Sequence, residues 1–319
     1  MRVFSVARLF FTTFKFQIAL WVTVVSWASA FVFIRIGLAG FHPGSLAFFR
    51  YLIASVCMLI FYIFVKDKSR LSFLQILHLI GLGVIGIGLY NVFLNYGEIT
   101  VPAGIAAFIV GMMPIFTILF AMVLLREKVA HKSWIGIAVS VIGMFLIALG
   151  ESQGVHFDYG FVYLVMAAIC GSYYSVGQKS LLKKIHSFEV ALWAILGGTL
   201  AMAVFTPQLI QDLPRASGKA IFSAIYLGVV PAALGYTTWS YALSNSPASK
   251  AVLYLYTLPI IATLLGFIML YEIPSLFSFL GGIVALIGAY VANYYYLQSK
   301  RKALAACSLK VAGQTNATM

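Results

Sequence analysis

Arg50 stands inside an apolar run, where a charge needs a partner or a purpose. Glu98 could supply a partner and make an outer gate; Arg35, at similar depth in the run before, could share that task. A bound carboxylate is the other candidate, since a guanidinium grips one bidentately. A third reading is a side chain that snorkels to headgroups or loop carbonyls. Asn91 and Asn95 are four apart, hence on one helix face. At the corresponding places of the chain's second half stand Tyr236 and Ser240. Tyr174 and Gln178 repeat the four-residue spacing and align, under a local shift of 143, with Phe31 and Arg35. Trp27 lies one turn before Phe31 on that face, and Trp239 and Tyr254 add aromatic surface. Rings with a few amides, hydroxyls and a cation suit binding of a small zwitterion or amphiphile. Each amide taken alone could instead serve as an interhelical hydrogen bond of about 0.6–2 kcal/mol.

Bond-breaking chemistry finds less support. A membrane enzyme needs a cluster of His, Asp, Glu or Cys with a base or metal, and the apolar runs hold none. The eight acids (Asp67, Glu98, Glu127, Glu151, Asp158, Glu189, Asp212 and Glu272) fall in loops or near helix ends. Without a midplane carboxylate, uniport or exchange is favoured over proton antiport, with Glu98 left as the candidate proton carrier. His78 lies near the end of its run and reads as interfacial. The three cysteines, Cys57, Cys170 and Cys307, are scattered, with no disulfide or metal spacing. No cofactor, metal site or catalytic residue is expected.

The elements that must position these residues follow from composition. The chain of 319 residues is 62% hydrophobic and 9% charged, with mean hydropathy +1.01. Soluble domains carry about 25% charged residues, so this chain belongs in lipid. Shifting the numbering by 145 superposes Tyr96, Pro102, Ala106, Pro114 and Glu127 on Tyr241, Pro247, Ala251, Pro259 and Glu272. Ser133, Gly136, Val139 and Gly143 then fall on Ser278, Gly281, Val284 and Gly288. Prolines and a glutamate at the same spacing make this a real internal repeat. Apolar stretches of about 20 residues lie near 17–38, 45–65, 75–96, 102–125 and 132–150, then 159–179, 188–207, 220–242, 247–270 and 275–297. The expected fold is therefore an all-α integral membrane protein, with ten transmembrane helices as two inverted five-helix repeats. The repeats span 17–150 and 159–297, joined by an outer loop at 151–158, with terminal segments 1–16 and 298–319 exposed to water. Pro114 and Pro259 fall mid-helix, where each removes a backbone donor; they read as paired hinges or as packed kinks.

Lysine and arginine set the orientation. With a cytoplasmic N-terminus, the inner segments hold Arg2, Arg8, Lys15, Lys66, Lys68, Arg70, Arg126, Lys128, Lys132, Lys179, Lys183, Lys184, Lys250, Lys300, Arg301, Lys302 and Lys310. The outer loops hold only Arg215 and Lys219, so the count is seventeen against two and both termini are expected inside. An odd helix number per half makes the repeats inverted, the usual device of alternating-access carriers. The +13 net charge forms no single face, so nucleic acid is not an expected partner. The expected partners are a small-molecule substrate and membrane lipid, with a homodimer left open.

Two features mislead. Ala28-Ser29-Ala30 after a basic start imitates a signal-peptide cleavage site, but the apolar run continues to Leu38. Gly81-Leu82-Gly83-Val84-Ile85-Gly86 is a literal GxGxxG, yet it lies within an apolar helix rather than between a strand and a helix. There its glycines more simply allow close helix approach.

Leu125-Arg126-Glu127-Lys128-Val129, followed by Trp134-Ile135-Gly136-Ile137 and Gly143, resembles the end of an EamA domain. Glu272-Ile273-Pro274 with Gly281-Gly282 and Gly288 resembles a second copy, and Trp27–Phe31 and Phe49-Arg50-Tyr51 resemble the motifs of its first helices. The resemblance, over 17–297, is to the EamA family of the drug/metabolite transporter superfamily. It implies a ten-helix carrier of a bacterial inner membrane, moving metabolites such as amino acids, often outward. Cys170 departs from the tryptophan that would mirror Trp27. The alternative within the same class is import or exchange of a larger metabolite such as a nucleotide derivative; a membrane enzyme, a channel and a scaffold are the rivals outside it.

Overall fold

The computed structural model describes residues 2–66, 68–124, 130–151, 159–245 and 254–317, and every regular element among them is helical. The helices are α1 Arg2–Leu38, α2 Pro43–Ile63, α3 Phe73–Gly97, α4 Ala103–Val110, α5 Met113–Leu124 and α6 His131–Glu151. They continue with α7 Tyr159–Leu181, α8 Ser187–Asp212, α9 Gly218–Asn245, α10 Leu258–Leu270 and α11 Leu276–Ala317. Among the described residues eight stretches are long and apolar enough to cross a bilayer, one of them running from α4 into α5. The stretches expected near 132–150 and 247–270 appear as the shorter apolar helices His131–Ile147 and Leu258–Leu270. Both end helices extend beyond their apolar parts, α1 beginning at Arg2 and α11 reaching Ala317. Glu127 and the Leu125–Val129 motif, the repeat positions Pro247 and Ala251, Lys250 and most of the 151–158 connection lie outside the described residues.

Local chemistry explains the boundaries. Pro43 sits in the first turn of α2, where its missing N–H costs no bond. Ser72 and Gln75 close a reciprocal capping box at the start of α3. Apolar side chains such as Phe61, Ile63, Phe145, Ile260 and Phe267 remain exposed on the bundle's outside. A surface this apolar suits hydrocarbon and not water.

The repeat is visible in the backbone. Val84–Leu89 of α3 and Gly228–Gly235 of α9 are both π-helical, and the 145-residue shift carries one onto the other. α6 and α11 cross at the repeated glycines, Gly136 of one meeting Gly288 of the other and Gly143 meeting Gly281. A Cβ on Gly136 would lie 2.6 Å from the Gly288 carbonyl oxygen, and one on Gly288 would lie 2.7 Å from that of Gly136. In the GxGxxG run, a Cβ on Gly83 would come within 2.0 Å of the Ala194 carbonyl oxygen and one on Gly86 within 2.1 Å of Tyr174 Cβ. These glycines serve helix approach.

The prolines act differently from the expected mid-helix kink. The helix ends before Pro114, at Gly111-Met112, and Pro114 falls in the first turn of α5. Pro259 likewise falls in the first turn of α10. Each proline thus starts a segment in a position that needs no donor. The two breaks meet, with a Cβ on Gly111 placed 3.1 Å from Pro259 Cγ.

α2 and α8 run antiparallel and are stapled at both ends. At one end Asp212 accepts from the His42 N–H at 2.9 Å and from the Ser45 hydroxyl. At the other, buried Glu189 accepts from Tyr62 Oη at 3.1 Å and from the Ser69 N–H at 3.0 Å.

Candidate functional site

A cavity of about 860 Å³, mouth included, lies between the two repeats. Its lining comes from α1 (Trp27, Phe31), α2 (Arg50, Tyr51), α3 (Gly86, Tyr90, Asn91, Leu94) and the broken span (Val110, Met113, Pro114). The second repeat adds Tyr174 from α7, Pro231, Tyr236 and Trp239 from α9, and Leu255 and Leu258 around the start of α10. The π-helical turn of α9 presents the Pro231 carbonyl, which accepts from Trp27 Nε1 at 3.1 Å. Trp27 then meets Tyr236 and Trp239, both at 5.4 Å between ring centroids. Tyr236 in turn contacts Tyr51 and Tyr174 at 6.4 and 6.1 Å. The result is an aromatic cage built from both halves.

Arg50 is the charged residue among the described lining residues. It is 2% exposed, which rules out snorkelling. One guanidinium nitrogen donates to Asn91 Oδ1, while Asn91 Nδ2 donates to Tyr51 Oη at 2.8 Å and to the Ile87 carbonyl at 2.7 Å. The guanidinium carbon lies 5.3 Å from the Tyr51 ring centroid. Asn91 therefore orients both the cation and its neighbouring hydroxyl. Arg50 Nε and Tyr174 Oη are buried without a hydrogen-bond partner. Unmet polar groups in a cavity wall call for a ligand or water to complete them.

The expected Arg50–Glu98 pair does not form, and Arg35 takes another partner. Arg50 makes no hydrogen bond to Glu98, because it pairs at the level of Asn91, about 10 Å of helical rise before Glu98. Arg35 instead pairs with Glu272 at 2.9 Å and donates to the Glu98 and Ile99 carbonyls at 2.5 and 2.9 Å. The other Glu272 oxygen accepts from the Ala103 N–H at 2.8 Å, where α4 begins. This latch ties the ends of α1 and α3 to the start of α4 and to the chain ahead of α11. Tyr271 has φ 56° and turns the backbone there. Among the remaining expected residues, Asn95 is buried and donates to the Pro43 carbonyl at 2.9 Å, outside the lining. Gln178 is fully buried with both polar atoms unpartnered, also outside the lining. Tyr254 packs edge-on against Trp21 at 5.4 Å and is not in the cavity wall.

The model of the EamA-like transporter family matches residues 15–149 and 158–294, one match per repeat. The chain belongs to the EamA-like transporter family. It is a multi-pass integral membrane protein. It is 37% identical over 263 residues to the uncharacterized transporter YdfC of Bacillus subtilis, covering 82% of this chain and 85% of the relative. It is 32% identical over 287 residues to a probable terminal-alkyne amino-acid exporter of Streptantibioticus cattleyicolor, covering 89% and 95%. A solved crystal structure with 18% identity aligns over 89% of this chain and 98% of its own with a TM-score of 0.64, a likeness of fold.

In this EamA-like transporter, sequence reasoning passed over Tyr51 and Tyr90 as cavity residues. A signal was present: each adjoins a singled-out polar residue, and Gly86, Tyr90 and Leu94 recur at helical spacing.

Proposed function

We propose that the protein is a secondary transporter that moves small metabolites by alternating access between two inverted five-helix repeats, ten spans in all. The observation that carries this reading is a cavity walled by corresponding helices of both repeats, beside two broken spans that meet. Its chemistry suits an amino acid or similar amphiphile: a carboxylate on Arg50, an ammonium or apolar body against Trp27, Tyr236 and Trp239. The cavity's single described cation is a poor match for a nucleotide, whose phosphates call for several. Efflux is the proposed direction, supported by the relative whose name is that of a probable amino-acid exporter. The Lys/Arg distribution supports cytoplasmic termini in a bacterial inner membrane, with the Arg35–Glu272 latch on the outer side.

The test is counterflow of labelled amino acids in proteoliposomes. Wild type should exchange at least one amino acid, and Arg50→Ala should lose that exchange at equal membrane levels. Exchange by neither protein across the common amino acids, or undiminished exchange by Arg50→Ala, defeats the assignment.

A further inference from the structure

Asn91, Asn95 and Glu98 lie at i, i+4 and i+7, along one stripe from α3 into the chain just beyond it. Asn91 holds Arg50 and Asn95 holds the start of α2. Glu98 ends the stripe fully buried, and both its carboxylate oxygens lack a hydrogen-bond partner. Asn95 Oδ1 and Arg50 Nε on the same interface are also unmet. An ionised carboxylate so placed, with no donor to either oxygen, is costly, whereas a protonated one is tolerable. The ionisable groups acting around it are Arg50 on α2, Arg35 on α1, Glu272 ahead of α11 and Tyr90 on α3. Burial pushes the Glu98 carboxyl well above the usual carboxylate range, against the lowering pull of Arg50 and Arg35.

We propose that Glu98 is a proton-binding site linked to the cavity, so that a carboxylate ligand on Arg50 and a proton on Glu98 bind together. The argument rests on the proposed carboxylate site at Arg50. A ligand carboxylate there cancels the positive field that favours Glu98 as an anion. The proton comes from solvent, no bond other than O–H forms, and its charge offsets that of the ligand carboxylate. Linkage is reciprocal: protonation of Glu98 must strengthen carboxylate binding by the same factor. Proton and substrate then cross in the same direction. The latch covers this site, since Arg35 holds the Glu98 carbonyl itself.

The experiment uses purified full-length wild type, Glu98→Gln and Arg50→Gln. Difference infrared spectroscopy follows the protonated carboxyl band against pH. Wild type should show a band that Glu98→Gln lacks and that persists above the range of ordinary carboxylates. A band that titrates in the ordinary range, or that survives in Glu98→Gln, overturns the proton site whether or not the protein transports. L-Phenylalanine then serves as the carboxylate probe, read by fluorescence of the cavity tryptophans. Its wild-type affinity should weaken by up to about tenfold per pH unit where Glu98 loses its proton, with proton uptake on binding. Glu98→Gln should bind at the low-pH affinity throughout, and Arg50→Gln should not bind. Absence of wild-type binding, or equal pH dependence in Glu98→Gln, defeats the linkage while the infrared result still decides the proton site.

Discussion

Arg50 reaches the cavity from α2 already oriented, because Asn91 binds the cation and the Tyr51 hydroxyl at once. A lysine keeps the charge but lacks the planar fork. Arg50→Lys should therefore insert normally yet lose a charge-assisted bond of about 1.5–3 kcal/mol, or about ten- to hundredfold in carboxylate affinity. Isothermal titration at matched protein levels measures this, and full affinity in Arg50→Lys would show that bulk charge suffices. Glu98 makes a separate prediction about stability. Its carboxyl is held well above the ordinary range by burial, so the fold favours its neutral form. The resulting stabilisation is complete at low pH and declines as pH rises from the ordinary carboxylate range through the raised value. Thermal unfolding in detergent should therefore fall less with rising pH in Glu98→Gln than in wild type; parallel curves would remove Glu98 as the cause. Arg50 and Asn91 were legible as candidates because polar residues in an apolar run are few. Their pairing was not, since sequence spacing gives the face of each helix but not the depth at which two helices meet.

At the scale of elements, glycines and prolines at repeat spacing were legible, and packing decided what they do. The GxGxxG run makes the point within a single helix. A Cβ on Gly83 would come within 2.0 Å of a backbone oxygen, whereas one on Gly81 meets nothing within 4 Å. Gly83→Ala should destabilise by about 1–3 kcal/mol through overpacking. Gly81→Ala should be neutral or stabilising by about 0.5–1 kcal/mol, because alanine favours the helix. Melting temperatures of the two variants check the contrast, and equal effects would contradict the close approach of α3 and α8. The π-helical turns had no signal in hydrophobic periodicity, which a one-residue insertion shifts without erasing. Pro231 was their one visible mark. The breaks before Pro114 and Pro259 carry a kinetic prediction. Alanine restores an N–H at each place and permits α4 to run into α5. Pro114→Ala and Pro259→Ala should insert normally but slow the interchange of inward- and outward-open forms. Wild-type counterflow rates in both would leave the prolines with a packing role alone.

At the scale of the whole molecule, two sets of contacts mark opposite ends of the bundle. α2 and α8 place Asp212 with His42 at one end and Glu189 with Tyr62 and Ser69 at the other. The latch of Arg35, Glu272 and Ala103 belongs to the Asp212 end, because α1 turns into α2 there. Arg215 and Lys219 follow Asp212, whereas Lys66, Lys68 and Arg70 flank Ser69, so the basic residues concentrate at the end away from the latch. Retention of positive loops on the cytoplasmic side is the ground for the proposed outer position of the latch. Lys68 and Arg215 are both exposed and suit the test. In a chain first freed of its own cysteines, Lys68→Cys should react with a membrane-impermeant maleimide only after the membrane is opened. Arg215→Cys should react in intact cells. Labelling of both from the same side would break the structural argument, because the two positions lie at opposite ends of α2 and α8. Labelling with the sides exchanged would leave the fold standing, reverse the orientation, and put the latch and Glu98 on the cytoplasmic side. In that case the proton on Glu98 would be drawn from the cytoplasm, and the same linkage would act on the inner gate.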